Sequence, residues 1–144
     1  MQISAREDYL TTEVMTATPQ KLQLMLIQGA LRMAEQARQC WRQDDDAGAF
    51  DALQKCQQVI IEMLSGLRVE VDPDLVKKVA GVYLFIFRTI VSAQIEHDEK
   101  QLAEVVSILE IERETWQQLC AKLGTKRDDH EAPPSESLGA TLEG

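Results

Sequence analysis

Apolar residues recur along this chain at three- and four-residue steps in four long segments, the period of a helix with one buried stripe. Wound at about 100° per residue, the first segment shows two stripes. Leu22, Leu26, Met33, Ala37 and Cys40 share one face, and Leu24, Ile27, Leu31 and Ala34 share another on nearly the opposite side. In the second segment Leu53, Cys56, Ile60, Leu64 and Leu67 align, while Phe50 and Ile61 fall outside the stripe. In the third, Val79, Val82, Tyr83, Ile86 and Ile90 face one way, and Phe85 falls among Lys78, Thr89 and Ser92. In the fourth, Leu102, Val105, Leu109, Trp116 and Leu123 align, with Ile108 at the edge and Ile111 off the stripe.

Capping signals punctuate these segments. Thr18-Pro19 and Asp72-Pro73 each offer a side-chain acceptor followed by proline at the first helical position. Asp98 and Gln101 have capping-box spacing, and Asp44-Asp45-Asp46 places negative charge where a helix dipole favours it. Gly124 follows the last periodic residue as a C-terminal cap would. The pattern predicts helices near 19–43, 47–67, 73–96 and 98–123 joined by short connections. Short joints make neighbours antiparallel, so the expected fold is an all-α antiparallel four-helix bundle over residues 18–124. Residues 1–17 read as an N-terminal arm or short helix. Residues 125–144 hold five acids against two bases, two prolines and no aromatic, and read as a disordered acidic tail.

Composition narrows the function. A hydrophobic share of 44% supports a core, and seven glycines with four prolines are too few for a turn-rich sandwich or barrel. The net charge of −9, without a Lys/Arg cluster to offset it, argues against nucleic acid and anionic membranes as partners. The longest nearly apolar run, Val79 to Phe87, is far shorter than a membrane-spanning helix, and the first ten residues show no secretory signal. Cys40, Cys56 and Cys120 are odd in number and widely spaced, which fits reduced thiols in a cytoplasmic protein.

Catalytic chemistry finds little support. The chain has neither GxxxxGK[ST] nor GxGxxG, and neither His97 nor His130 follows a Glu by three residues as bundle metal sites require. No cofactor, metal or enzymatic activity is expected. Glu112 and Glu114 read as surface charge on a solvated helix face. One alternative from another class is a phosphotransfer domain acting through His97 at a helix junction, where Asp98 and Glu99 disfavour a phospho-imidazole.

The apolar residues outside the main stripes point instead to binding. Leu24, Ile27, Leu31, Phe50, Ile61, Phe85, Ile108 and Ile111 are the candidates for a groove that takes an apolar segment of a partner. A compact bundle that buries helices on two sides is the plainer reading of the same residues, and a lateral homodimer is a third.

The run Tyr9-Leu-Thr-Thr-Glu-Val-Met-Thr-Ala-Thr-Pro19, then Lys21-Leu-Gln-Leu-Met-Leu26 and Gly29-Ala-Leu31, resembles the flagellar secretion chaperone FliS family. The resemblance continues through Ala52, Leu53 and Ile60, Val82-Tyr83 and Arg88, His97-Asp98 and Trp116, covering about residues 7–123. Ile27-Gln28 stands where the family has Tyr-Asp, Gln94 where it has Asn, and Phe85 to Phe87 where it is more polar. The resemblance implies a cytoplasmic chaperone that binds the disordered C-terminal segment of flagellin, prevents premature polymerisation and helps deliver it to the export gate. It also implies that an arm carrying Tyr9 lies over part of the groove and yields to the client. An adaptor for a different secretion client is the alternative that the departures leave open.

Overall fold

The computed structural model describes residues 16–67 and 72–130, with side chains described as far as residue 124. Among these residues the chain forms four helices and no strand: α1 Pro19–Arg42, α2 Asp46–Ser65, α3 Pro73–Glu96 and α4 Glu99–His130. α1 packs on α2 and α4, and α3 packs on the same two helices, so the four close a ring around one core. Thr18 and Lys21 at the start of α1 line one cleft with Cys120 and Leu123 from the far part of α4, which sets these two helices antiparallel.

Local chemistry explains where the helices begin. The Thr18 hydroxyl accepts from the Lys21 N–H at 3.1 Å, and the Asp72 carboxylate accepts from the Leu75 N–H at 3.2 Å. Asp45 caps α2 by accepting from the Gly48 N–H at 2.9 Å, while Asp46 occupies its first turn. Such caps contribute about 1 kcal/mol each. Asp98 accepts from the N–H groups of Lys100 and Gln101 at 2.9 and 3.2 Å. The reciprocal half of the expected capping box is missing. The Asp98 N–H already donates to the Ala93 carbonyl at 3.0 Å, and the Gln101 Oε1 is buried without a partner.

Two connections turn on positive φ. Asp44 has φ 57 between α1 and α2, and His97 has φ 52 between α3 and α4. The bond from Asp98 to Ala93 is the six-to-one bond of a Schellman turn, with His97 in the position glycine usually takes. That conformation costs about 1–2 kcal/mol. Stacking compensates in part: the His97 ring lies 4.2 Å from the Trp41 ring, with 18° between their planes.

Gly124 does not end the last helix. Gly66 ends α2 with φ −85, and no described glycine takes the left-handed conformation of the commonest glycine cap. α4 runs through Gly124 to His130, into the segment expected to be tail. Residues 131–144 and the arm residues 1–15, Tyr9 included, lie outside the described residues.

The core is contributed by all four helices. Ile27, Leu31 and Ala34 come from α1, Leu53, Cys56, Ile60 and Met63 from α2, Tyr83, Ile86 and Ile90 from α3, and Leu102, Val105 and Leu109 from α4. Burying a Leu, Ile or Met side chain stabilises by about 1.5–3 kcal/mol. Beyond Trp116 the stripe on α4 runs out, and Leu119 and Leu123 stand exposed.

Candidate interaction surface

The structure divides the candidate residues into two sets. Leu24, Ile27 and Leu31 are 4%, 0% and 7% exposed, so the expectation that this face of α1 meets solvent is corrected. The reason is packing on two sides. α1 lies between α2 and α4, and the face with Ile27, Leu31 and Ala34 enters the core. The opposite stripe is the shallower one: Leu22 is exposed, and Leu26, Met33 and Cys40 are only partly buried. Ile108 is likewise half-buried and packs against the core.

The second set remains at the surface. Phe50 is 57% exposed, Ile61 42%, Phe85 45% and Ile111 63%, each far more than a core residue of a closed bundle. They do not share one face. Phe50 and Ile61 are eleven residues apart, which brings them to the same side of α2. Gln57 lies between them on that side and donates to Gln94 of α3 at 2.7 Å, so this stripe borders α3. Phe85 lies nine residues before Gln94, half a turn away around α3 and so on the edge remote from α2. Ile111 sits opposite the buried stripe of Leu102 and Leu109 on α4.

Four further exposed residues escaped the sequence reading: Leu75, Leu84 and Ile95 on α3 and Leu119 on α4. Their signal was present, because Leu84 and Ile95 are eleven apart and fall on the side of α3 away from Tyr83 and Ile90.

Beneath the surface lies a polar group that the pattern also hid. Gln23 of α1 donates to the Tyr83 hydroxyl at 3.1 Å, across the bundle interior. Burial pushes that hydroxyl up to about 12. Glu112 faces the same hydroxyl and the Trp116 indole, and burial raises its carboxyl above the usual range despite both partners. Glu112 is thus half-buried rather than on a solvated face, whereas Glu114 is exposed and accepts from Gln118 at 3.0 Å.

Among the described residues no group of three or more His, Cys, Asp or Glu could hold a metal ion, and no helix is long and apolar enough to cross a membrane. His97, the candidate phosphoryl acceptor, closes α3 with its ring face against Trp41.

Comparison with known proteins joins this geometry to a family. The profile described as flagellar protein FliS matches residues 1–123. The chain belongs to the FliS family. It is 32% identical to the flagellar secretion chaperone FliS of Bacillus subtilis (strain 168) over 122 residues, covering 85% of this chain and 89% of that one. It is 29% identical to the protein of the same name from Salmonella typhimurium over 110 residues, covering 76% and 82% of the two chains. A third, from Vibrio cholerae, is 26% identical over 108 residues, covering 75% and 79%.

Proposed function

We propose that this member of the FliS family is a cytoplasmic export chaperone for flagellin. It binds the disordered C-terminal segment, keeps it from polymerising early and helps deliver it to the export gate. The observation that carries this reading is the exposure of Phe50, Ile61, Phe85 and Ile111 around a bundle that has already closed its core. A segment that later packs in the filament presents apolar residues of its own. Covering them with these four side chains removes apolar surface from water on both partners. Because Phe50 and Ile61 lie on one side of α3 and Phe85 on the other, the client wraps the bundle rather than filling one pocket. Ordering a disordered client costs several kcal/mol, which only a long interface offsets.

The test is calorimetric titration of the full chain with the flagellin C-terminal segment. Phe50→Asp, Ile61→Asp, Phe85→Asp and Ile111→Asp should each weaken binding, and each should change stability by no more than about 1 kcal/mol. Ile27→Asp should instead unfold the bundle, since it buries an unpaired carboxylate at a fully enclosed position. Absence of binding, or affinity untouched by all four surface changes, would overturn the assignment.

A further inference from the structure

α3 is held differently from the other three helices. α1, α2 and α4 each bury residues within their first ten, such as Leu24, Ala49 and Leu102. The first ten residues of α3, Pro73 to Val82, bury none, and its enclosed set begins at Tyr83. α1 and α2 meet through small side chains. Ala30, Ala34 and Ala37 of α1 stand at the same distances from the connecting turn as Cys56, Ala52 and Ala49 of α2, and all six are enclosed. The Cys56 thiol reaches the Ala30 carbonyl at 3.4 Å, so the two backbones lie close along an apolar seam.

α3 instead meets its neighbours through polar side chains. Gln23 of α1 donates to the Tyr83 hydroxyl, Gln57 of α2 donates to Gln94, and Glu112 of α4 faces Tyr83. Tyr83 and Glu112 lie at equal distances from the turn between α3 and α4, and so do Gln94 and Gln101, about three helical turns nearer to it. Ile86 with Leu109 and Ile90 with Val105 fill the positions between. A polar layer therefore brackets the apolar part of this seam at each end. In the layer near the turn, the Gln94 Nε2 and the Gln101 Oε1 are buried without a partner, a donor and an acceptor that water satisfies once the helices part. Parting α1 from α2 exposes apolar surface and one weakly bonding thiol, so it gains no comparable hydration. We propose that α3 is a strap that opens as a unit from a platform of α1, α2 and α4, swinging about its C-terminal end. The hinge is His97, whose positive φ closes the helix and whose ring is stacked on Trp41 of α1. The unburied Pro73 end leads. Opening uncovers the flanks of α2 and α4 on which Ile86 and Ile90 pack, so the strap sets how much apolar surface the chain presents while α1 and α2 stay together. The device belongs to the free protein and holds whatever the client is.

Native-state hydrogen exchange on the full chain, followed by NMR, tests it. Protection factors for Ile86 to Ala93 should be at least about tenfold below those of Ala30 to Ala37 and Ala52 to Ile60, with a weaker dependence on sub-denaturing urea. Within α3, protection should fall from Ala93 toward Tyr83. Gln94→Leu with Gln101→Leu should narrow the gap between α3 and α2, because the buried groups that favour opening are gone. A thiol placed in α3 by Ile90→Cys should react at least about tenfold faster than Cys56 in the same molecules, where buried Cys56 serves as the internal measure of global unfolding. If circular dichroism shows that either variant fails to fold, the exchange pattern of the unaltered chain decides alone. Equal protection and equal urea dependence in all four helices overturn the proposal. So does a gap that the paired leucines leave unchanged, a gradient that runs the other way, or equal reactivity of the two thiols.

Discussion

Glu112 and Glu114 stand two residues apart on α4, yet only Glu114 meets water freely. Burial raises the Glu112 carboxyl above the ordinary range, and the Trp116 indole and Tyr83 hydroxyl offset only part of this. A carboxyl whose folded-state value lies above its unfolded one is held more tightly as the acid in the folded protein. It therefore lowers stability at neutral pH, and that penalty fades as pH falls through the folded-state value toward the unfolded one. Glu112→Gln should be at least as stable as the parent at about pH 7, and the difference should close below about pH 4, near the unfolded carboxyl value. Urea unfolding at a series of pH values measures this. A difference that widened on acidification would show that Glu112 is stabilised as the carboxylate.

At the scale of the element, glycine separates helix continuation from helix capping. Gly124 lies inside α4, and a Cβ there meets nothing within 4 Å, so Gly124→Ala should stabilise by about 0.5–1 kcal/mol. Gly48 is the opposite case. A Cβ built on it would collide with the Asp45 carboxylate that caps α2 and come within 2.9 Å of the Cys40 Sγ. Gly48→Ala should therefore displace the cap and cost about 1 kcal/mol or more. Thermal denaturation reads both, with a shift of roughly 2–6 °C per kcal/mol in a chain of this length. If Gly124→Ala lowered the midpoint, the helix would not run through that position in solution.

For the molecule as a whole, Cys56 reports closure of the bundle. Its thiol donates from α2 to the Ala30 carbonyl of α1 at 3.4 Å, and burial pushes it up to about 12. Little thiolate forms near neutral pH, and no reagent reaches the sulfur without opening the core. Cys120 is half-buried at the edge of a cleft of about 670 Å³. A thiol reagent at about pH 8 should label Cys120 in the native state and Cys56 only at the rate of bundle opening, accelerated by sub-denaturing urea. Peptide mapping of the labelled chain distinguishes the two. Prompt labelling of Cys56 would mean that α1 and α2 separate independently of the rest.

The sequence alone determined what depends on near neighbours. Thr18, Asp45, Asp72 and Asp98 act within three residues of themselves, so each helix start was legible before any packing was known. The stripe of Leu53, Cys56 and Ile60 was legible for a related reason, since these residues repeat at helical spacing along the main apolar face of α2. The exposure of Phe50, Ile61, Phe85 and Ile111 followed from their place off such stripes. Tertiary structure decided the rest. α1 has two apolar faces, and only its position between α2 and α4 determined that Ile27 and Leu31 lie deep while Leu22 is exposed. Nothing near Glu112 in sequence marks it as buried; its surroundings include Tyr83, twenty-nine residues earlier on α3. Gly124 was misleading because a glycine is compatible with a helix interior as well as with a helix end, and here it remains within α4. Capping is a property of a few consecutive residues, whereas burial belongs to the face a helix turns toward its neighbours.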